Sequence, residues 1–129
     1  GTSLPVMSSA TIMNTSGCIM TGTPIADLLS VLENSGVMSF GLNCSFGANE
    51  LYPFIKELSE KAKCAISIYP NAGLPTAHGY DEGPCDTAHA LSAMANDGLI
   101  NIAGGCCGTT PDHIKEIKNH LKDIKPRVF

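Results

Sequence analysis

The sequence predicts a parallel α/β protein built from four successive strand–helix units. Short apolar segments alternate with amphipathic segments along the 129 residues, which is the pattern of parallel strands and the helices that cover them. Typical boundary residues separate these segments, with Thr23-Pro24 before the first helix and Gly36 after it. No linker or shift in composition divides the units. We therefore expect residues 1–129 to belong to a single domain.

Each predicted helix carries an apolar stripe at three- and four-residue spacing, which is the face expected to pack against the sheet. The predicted strands are residues 4–13, 37–43, 64–69 and 99–103. The predicted helices begin near residues 24, 49, 86 and 111. The loop over residues 70–85 is long for a strand-to-helix connection, and long loops are often functional.

Four units are half the number in a (β/α)₈ barrel, which needs eight in about 250 residues. The alternative is an open four-stranded sheet with helices on both faces. That architecture commonly carries a glycine-rich nucleotide fingerprint after its first strand. Neither this fingerprint nor a phosphate-binding Gly-Lys-Thr loop occurs in the sequence. The half-barrel is therefore favoured.

Composition excludes several classes of partner. The formal net charge of −4 repels nucleic acid and anionic membranes, and the absence of tryptophan argues against base stacking. No apolar run of about 18 residues predicts a membrane span, and no signal segment is expected at Gly1. Six cysteines could form three disulfides. Because two of them are neighbours, we instead expect reduced thiols in a cytoplasmic protein.

A glycine-rich stretch, residues 104–114, concentrates the chemistry of the chain. Cys106 and Cys107 are adjacent, and residues on a continuing strand would point to opposite faces. The flanking glycines allow a sharp turn that presents both thiols from one place. Thr110 then caps the next helix, with Pro111 as its first residue. A disulfide between neighbours would close a strained ring, so two thiolates on a soft metal ion are the better interpretation.

Other polar residues that are candidates for a functional site also follow predicted strands, namely Asn14, Cys44 and Asn71. The carboxyl ends of parallel strands converge on one face, where sites form. Cys44 therefore becomes a candidate third thiolate, although an isolated cysteine is more often an ordinary buried residue. Three thiolates suit zinc, and the fourth coordination position would stay open, as in catalytic sites.

The remaining candidate groups are interpreted as structural. This applies to Cys18, Cys64 and Cys85 as core or surface cysteines, and to His78, His89, His113 and His120 as solvated or capping histidines. The acidic residues lie scattered on helix faces without a carboxylate pair suited to acid–base catalysis. No Ser-His-Asp arrangement is evident.

Three motifs together carry a specific resemblance. They are Gly-Leu-Asn-Cys at 41–44, Tyr-Pro-Asn-Ala-Gly-Leu-Pro at 69–75, and Gly-Gly-Cys-Cys-Gly-Thr-Thr-Pro-Asp-His-Ile at 104–114. In order and spacing they resemble the homocysteine S-methyltransferase family, and in particular the homocysteine-binding domain of cobalamin-dependent methionine synthase. The resemblance covers essentially the whole chain. It implies that residues 1–129 are a partial domain, the second half of a (β/α)₈ TIM barrel.

The resemblance also implies a site. Cys44, Cys106 and Cys107 match the three zinc ligands of the family, and the sulfur of homocysteine takes the open position. Zinc lowers the pKa of that thiol, and the thiolate attacks the methyl group of methylcobalamin to give methionine. Another domain supplies the cobalamin, and a folate is the original methyl source. Asn71 is a candidate for holding the metal or substrate, although a role in the turn is equally open.

The first four barrel units are missing, so we expect zinc binding with little or no turnover by this chain alone. The remaining half-barrel and the cobalamin and folate domains are the implied partners. Two copies could also pair through their exposed strand edges. Alternatives are a methyl donor such as betaine or S-methylmethionine, or a non-catalytic zinc module. The latter needs a fourth strong ligand, for which His78 is the candidate.

Overall fold

A computed structural model describes residues 3–129 as a parallel four-stranded sheet with four helices. The sheet contains β1 (Met7–Ala10), β2 (Ser39–Asn43), β3 (Ala65–Tyr69) and β6 (Ile102–Ala103). The helices are α1 (Ile25–Asn34), α2 (Ala48–Lys61), α3 (Pro84–Asn96) and α4 (Pro111–Leu121). Between β3 and α3, the short strands β4 (Pro75–Thr76) and β5 (Gly79–Tyr80) form an antiparallel hairpin. The α/β class predicted from the sequence is confirmed.

The order of the strands distinguishes the two architectures that the sequence left open. The sheet order is β1-β2-β3-β6, which follows the chain without a reversal, and every neighbouring pair is parallel. Right-handed crossovers in one constant direction place all helices on the same face of the sheet. Helices on both faces would require the strand order to reverse. The arrangement is therefore of the barrel type.

The two faces of the central strands differ in character. Phe40, Leu42, Ile66 and Ile68 are fully buried in one apolar core, which also contains residues from α2 and α3. The alternate positions of the same strands carry small or polar side chains: Ser39, Gly41, Asn43, Ser67 and Tyr69. Helices thus cover an apolar face, and the opposite face is suited to polar chemistry.

Several element boundaries differ from those expected. The first strand spans Met7–Ala10 instead of 4–13, and the fourth spans Ile102–Ala103 instead of 99–103. Both lie at an edge of the described sheet, where only one neighbouring strand supplies hydrogen bonds. Ile114 belongs to the apolar stripe of α4 but is 46% exposed. Within residues 3–129, no helix has the length and apolar character needed to cross a bilayer.

Candidate metal centre

The loop after β6 presents two cysteines from a tight turn, as the sequence predicted. The N–H of Cys106 donates to the carbonyl of Pro70 over 2.7 Å, and the N–H of Thr109 donates to the carbonyl of Cys106 over 3.1 Å. Gly108 has φ +78°, a left-handed conformation that favours glycine. The turn brings the sulfur atoms of Cys106 and Cys107 to 3.9 Å from each other.

The loop after β2 brings the third cysteine to the same place. Cys44 and Ser45 have φ values of 59° and 65°, which are uncommon for residues other than glycine. The N–H of Cys44 donates to the carbonyl of Tyr69 over 3.0 Å, which fixes the end of β2 against the end of β3. Unusual backbone conformations of this kind concentrate at functional sites.

The three cysteines form one cluster at the carboxyl ends of the strands. Their sulfur atoms all lie within 4.8 Å of one another, and among the described residues this is the group that could hold a metal ion. Cys44 Sγ lies 3.7 Å from Cys107 Sγ, and Cys106 Sγ lies 3.9 Å from it. Two thiolates on a tetrahedral zinc ion, each about 2.3 Å from the metal, are about 3.8 Å apart. The donor set therefore fits zinc.

The third pair of sulfur atoms is joined. Cys44 and Cys106 form a disulfide in the structure, with their Cα atoms 5.6 Å apart, while Cys107 is free. The expectation that every cysteine is reduced is wrong for this pair, because the two strand ends hold it at the usual Cα separation of a disulfide. A metal ion needs both residues as thiolates, so reduction must precede metal binding.

Asn71 lies directly beneath the cysteine turn. It is 6% exposed, and its Oδ1 accepts a hydrogen bond from the N–H of Cys107 over 3.2 Å. Its own N–H donates to the carbonyl of Phe46. Asn71 therefore connects the loops that follow β2, β3 and β6. A role in binding metal or substrate stays a prediction.

The other candidate residues lie apart from the cluster. Asn14 accepts a hydrogen bond from the N–H of Ser16 within its own turn. Cys64 is buried at the start of β3, and burial raises the pKa of its thiol. Cys85 is exposed in the first turn of α3. His78 lies in the exposed turn of the hairpin, outside the group of residues that could share a metal ion.

Two residues near the cysteines were not proposed from the sequence to act at the site. Interaction with the Cys107 thiol raises the pKa of the Tyr80 hydroxyl, which belongs to β5. His113 is buried; its Nδ1 accepts from the N–H of Thr110, and its Nε2–H donates to the carbonyl of Glu82 over 3.2 Å. The capping role expected of a histidine is confirmed here, and it also ties α4 to the long loop.

The long loop also carries acidic residues that lie close to one another. Burial raises the pKa of Glu82, and the nearby carboxylates of Glu50, Asp81 and Asp86 raise it further. The hydroxyl of Thr87 opposes this shift by donating to Glu82 Oε2 over 3.0 Å. Glu82 therefore belongs to a cluster of neighbouring carboxyl groups.

Comparison with known proteins adds a family and a fold. The sequence pattern of the family described as homocysteine S-methyltransferase matches residues 1–121. Crystal structures of the homocysteine methyltransferase MmuM from Escherichia coli, in oxidized, metallated and apo forms, superpose with a TM-score of 0.67 at 22–23% identity. They match 85–90% of this chain, which spans only 34–39% of theirs.

Proposed function

This chain belongs to the homocysteine S-methyltransferase family, and we propose that it carries the metal-binding part of an enzyme that methylates the sulfur of homocysteine. The observation that supports this most strongly is the convergence of three cysteine sulfur atoms at the carboxyl ends of parallel strands. The product of the reaction would be methionine. The chain would thus serve methionine biosynthesis.

Zinc is the proposed metal, held by Cys44, Cys106 and Cys107. The distances of 3.7 and 3.9 Å between their sulfur atoms support this choice. When bound, zinc supplies a soft Lewis acid that stabilises the thiolate form of homocysteine at neutral pH. Thiolate ligands need reducing conditions, and we therefore place the enzyme in the cytoplasm.

Asn71 is proposed to act at the same place. Its Oδ1 receives the N–H of Cys107, so the amide holds the cysteine turn in position. Its burial and its hydrogen bond to the cysteine turn support a contact with the metal or with the substrate. Positioning of the turn and contact with the substrate are compatible roles for one amide group.

Methylcobalamin, carried by another domain, is the proposed methyl donor. The runs Pro-Asn-Ala-Gly-Leu-Pro at 70–75 and Thr-Thr-Pro at 109–111 favour the cobalamin-dependent branch of the family. Betaine or S-methylmethionine is the second candidate. It is favoured by the acidic groups around Glu82, which suit a cationic donor.

We also propose that residues 1–129 are the C-terminal half of a (β/α)₈ barrel, whose other half completes the site. The described part of β1 and of β6 pairs on one side only. A groove of about 250 Å³ lies beside β6, lined by apolar residues that include Ile100, Ala103 and Ile114. A parallel sheet is ordinarily covered on both faces. The missing half would cover this groove and both edges.

The isolated chain should then bind zinc but turn over little, because half of the substrate pocket is missing. A second copy is the alternative partner for the same edges, and the mass of the chain in solution separates the two. A non-catalytic zinc module is the third possibility. It is disfavoured because His78 lies outside the thiol cluster within the described residues.

The test is methionine formation by the enzyme that contains this chain, with each donor supplied in turn. We expect activity with methylcobalamin, and loss of that activity in a Cys107→Ser variant. The control variant Cys85→Ser, which replaces an exposed cysteine of α3, should retain the activity. Activity with betaine or S-methylmethionine alone would show that the methyl donor is one of these compounds and not methylcobalamin. Full activity of Cys107→Ser would refute the thiolate site.

A further inference from the structure

The inner face of the sheet, opposite the helices, carries a polar network next to the first of the three cysteines. Asn43 ends β2 and directly precedes Cys44 in the chain. The hydroxyl of Ser9, on β1, donates to Asn43 Oδ1 over 2.8 Å, and Asn43 Nδ2 donates to Thr11 Oγ1 over 3.0 Å. The network therefore joins the carboxyl ends of the first two strands.

The network belongs to the same framework as the candidate metal ligands. The hydroxyl of Ser45 donates to the carbonyl of Ile12, which ties the loop after β2 to the loop after β1. On β3, Tyr69 pairs with Asn43, and a Cβ atom at Gly104 would lie only 2.8 Å from Tyr69 Cδ1. The neighbours of the network on both sides thus contact the loops that carry the cysteines.

The hydrogen bonds of the network leave two donors free. An amide nitrogen carries two protons, and Asn43 uses one of them for Thr11. Because Thr11 Oγ1 accepts this bond, the proton of its own hydroxyl is still available. No residue among 3–129 accepts either of the two remaining protons. Thr11 is exposed and Asn43 is half-buried, so a ligand on the inner side of the sheet can reach both donors.

We propose that Asn43 and Thr11 bind the carboxylate of homocysteine, while the sulfur of the same molecule binds at the cysteine cluster. This inference rests on the proposed function. Two neighbouring donors match the two oxygen atoms of a carboxylate. Three carbon atoms separate the sulfur of homocysteine from its carboxylate carbon, and the Cα atoms of consecutive residues such as 43 and 44 are about 3.8 Å apart. One substrate molecule can therefore span the cluster and the network.

Such a subsite would select an amino-acid thiol over other thiols. Hydrogen bonds to a charged group contribute more than those between neutral groups. A thiol without a carboxylate would cover both donors without offering them an acceptor, which costs the free energy of removing them from water. A network that only ties β1 to β2 would instead treat all thiols alike. The two roles therefore differ in how the effect of a substitution depends on the ligand.

The experiment measures thiol binding by the reduced enzyme that contains this chain, loaded with Co²⁺ alone. The change in the sulfur-to-metal absorption band reports binding independently of methyl transfer. Homocysteine is compared with 4-mercaptobutyrate, which lacks the ammonium group, and with 3-mercaptopropylamine, which lacks the carboxylate. Thr11→Val removes one donor at nearly constant volume. Thr21→Val is the matched control, because the Thr21 hydroxyl is also exposed and hydrogen-bonded, to Thr23.

We expect Thr11→Val to weaken the binding of homocysteine and of 4-mercaptobutyrate about tenfold, because each loses a hydrogen bond to its carboxylate. Binding of 3-mercaptopropylamine, and all binding by Thr21→Val, should stay within about threefold of the parent. A second variant, Asn43→Asp, keeps the shape of the side chain and replaces its free donor by a carboxylate oxygen. It should weaken the two carboxylate thiols by at least about 100-fold and should not weaken the amine.

Equal losses for all three thiols in Thr11→Val, or no loss for any of them, would overturn the carboxylate subsite and leave the metal centre standing. A parent enzyme that binds Co²⁺ but shows no response to homocysteine would overturn it as well. If the reduced parent binds neither zinc nor Co²⁺, the proposed function itself fails, and this inference fails with it.

Discussion

Replacing Cys106 by serine is expected to lower zinc affinity by at least about 100-fold, equivalent to about 2.8 kcal/mol, and to abolish methyl transfer. The sulfur of Cys106 is joined to that of Cys44 in the structure and lies 3.9 Å from the sulfur of Cys107. A serine hydroxyl is a hard, largely protonated ligand, so only two soft donors would remain. Zinc affinity is measured in reduced protein by chelator competition.

Cys85→Ser is the matched control for this prediction. Cys85 is a free, exposed cysteine that lies in the first turn of α3 and outside the thiol cluster. Its replacement should leave zinc affinity within threefold of the parent. Equal losses in the two variants would show that the affinity depends on thiol content in general, and the assignment of Cys106 would be wrong.

Replacing Arg127 by alanine is expected to destabilise the fold by about 3 kcal/mol. Its guanidinium is buried and donates to three backbone carbonyls at the end of α2 and the start of β3: to Ser59 over 2.7 Å, to Cys64 over 3.1 Å, and to Ala62. The carboxyl end of a helix favours a cation. Removal of the side chain leaves these carbonyls without their donor, and a buried acceptor without a partner is costly.

The measurement is the urea midpoint of unfolding at neutral pH. Burial lowers the pKa of Arg127 from a very high ordinary value, and an arginine stays charged at neutral pH. Lys125→Ala, at an exposed position in the same tail, should change stability by less than about 0.5 kcal/mol. Similar midpoints for the two variants would contradict the stabilising role of the hydrogen bonds that Arg127 donates.

The order of the elements and the thiol cluster were predictable from sequence, for physical reasons. Apolar stripes on helices and boundary glycines are local signals, and the cysteines follow strands whose ends meet in any parallel α/β fold. Cys44 and Cys106 are 62 residues apart, yet the topology alone brings them together. The lengths of β1 and β6 were overestimated because the apolar pattern continues beyond the residues that a single neighbouring strand can pair.

Other features depend on contacts that leave no periodic signal. Tyr80 belongs to a two-residue strand, too short for an alternating pattern, within a loop that looked irregular. The only hint was its position after Gly79, whose φ is +127°. Arg127 follows the last helix, where the sequence alone would predict that a charged side chain is exposed to solvent. Its partners lie more than 60 residues away along the chain, and only the packed structure reveals them.

X-ray absorption at the zinc edge tests the central claim most directly. We expect one zinc ion per chain in the reduced protein, with three sulfur neighbours at about 2.3 Å and one lighter ligand. Addition of homocysteine should raise the number of sulfur neighbours to four, because its thiolate enters the open position. An unchanged coordination shell with homocysteine, or no zinc at all in the reduced enzyme, would contradict the assignment of Cys44, Cys106 and Cys107 as a substrate-binding metal centre.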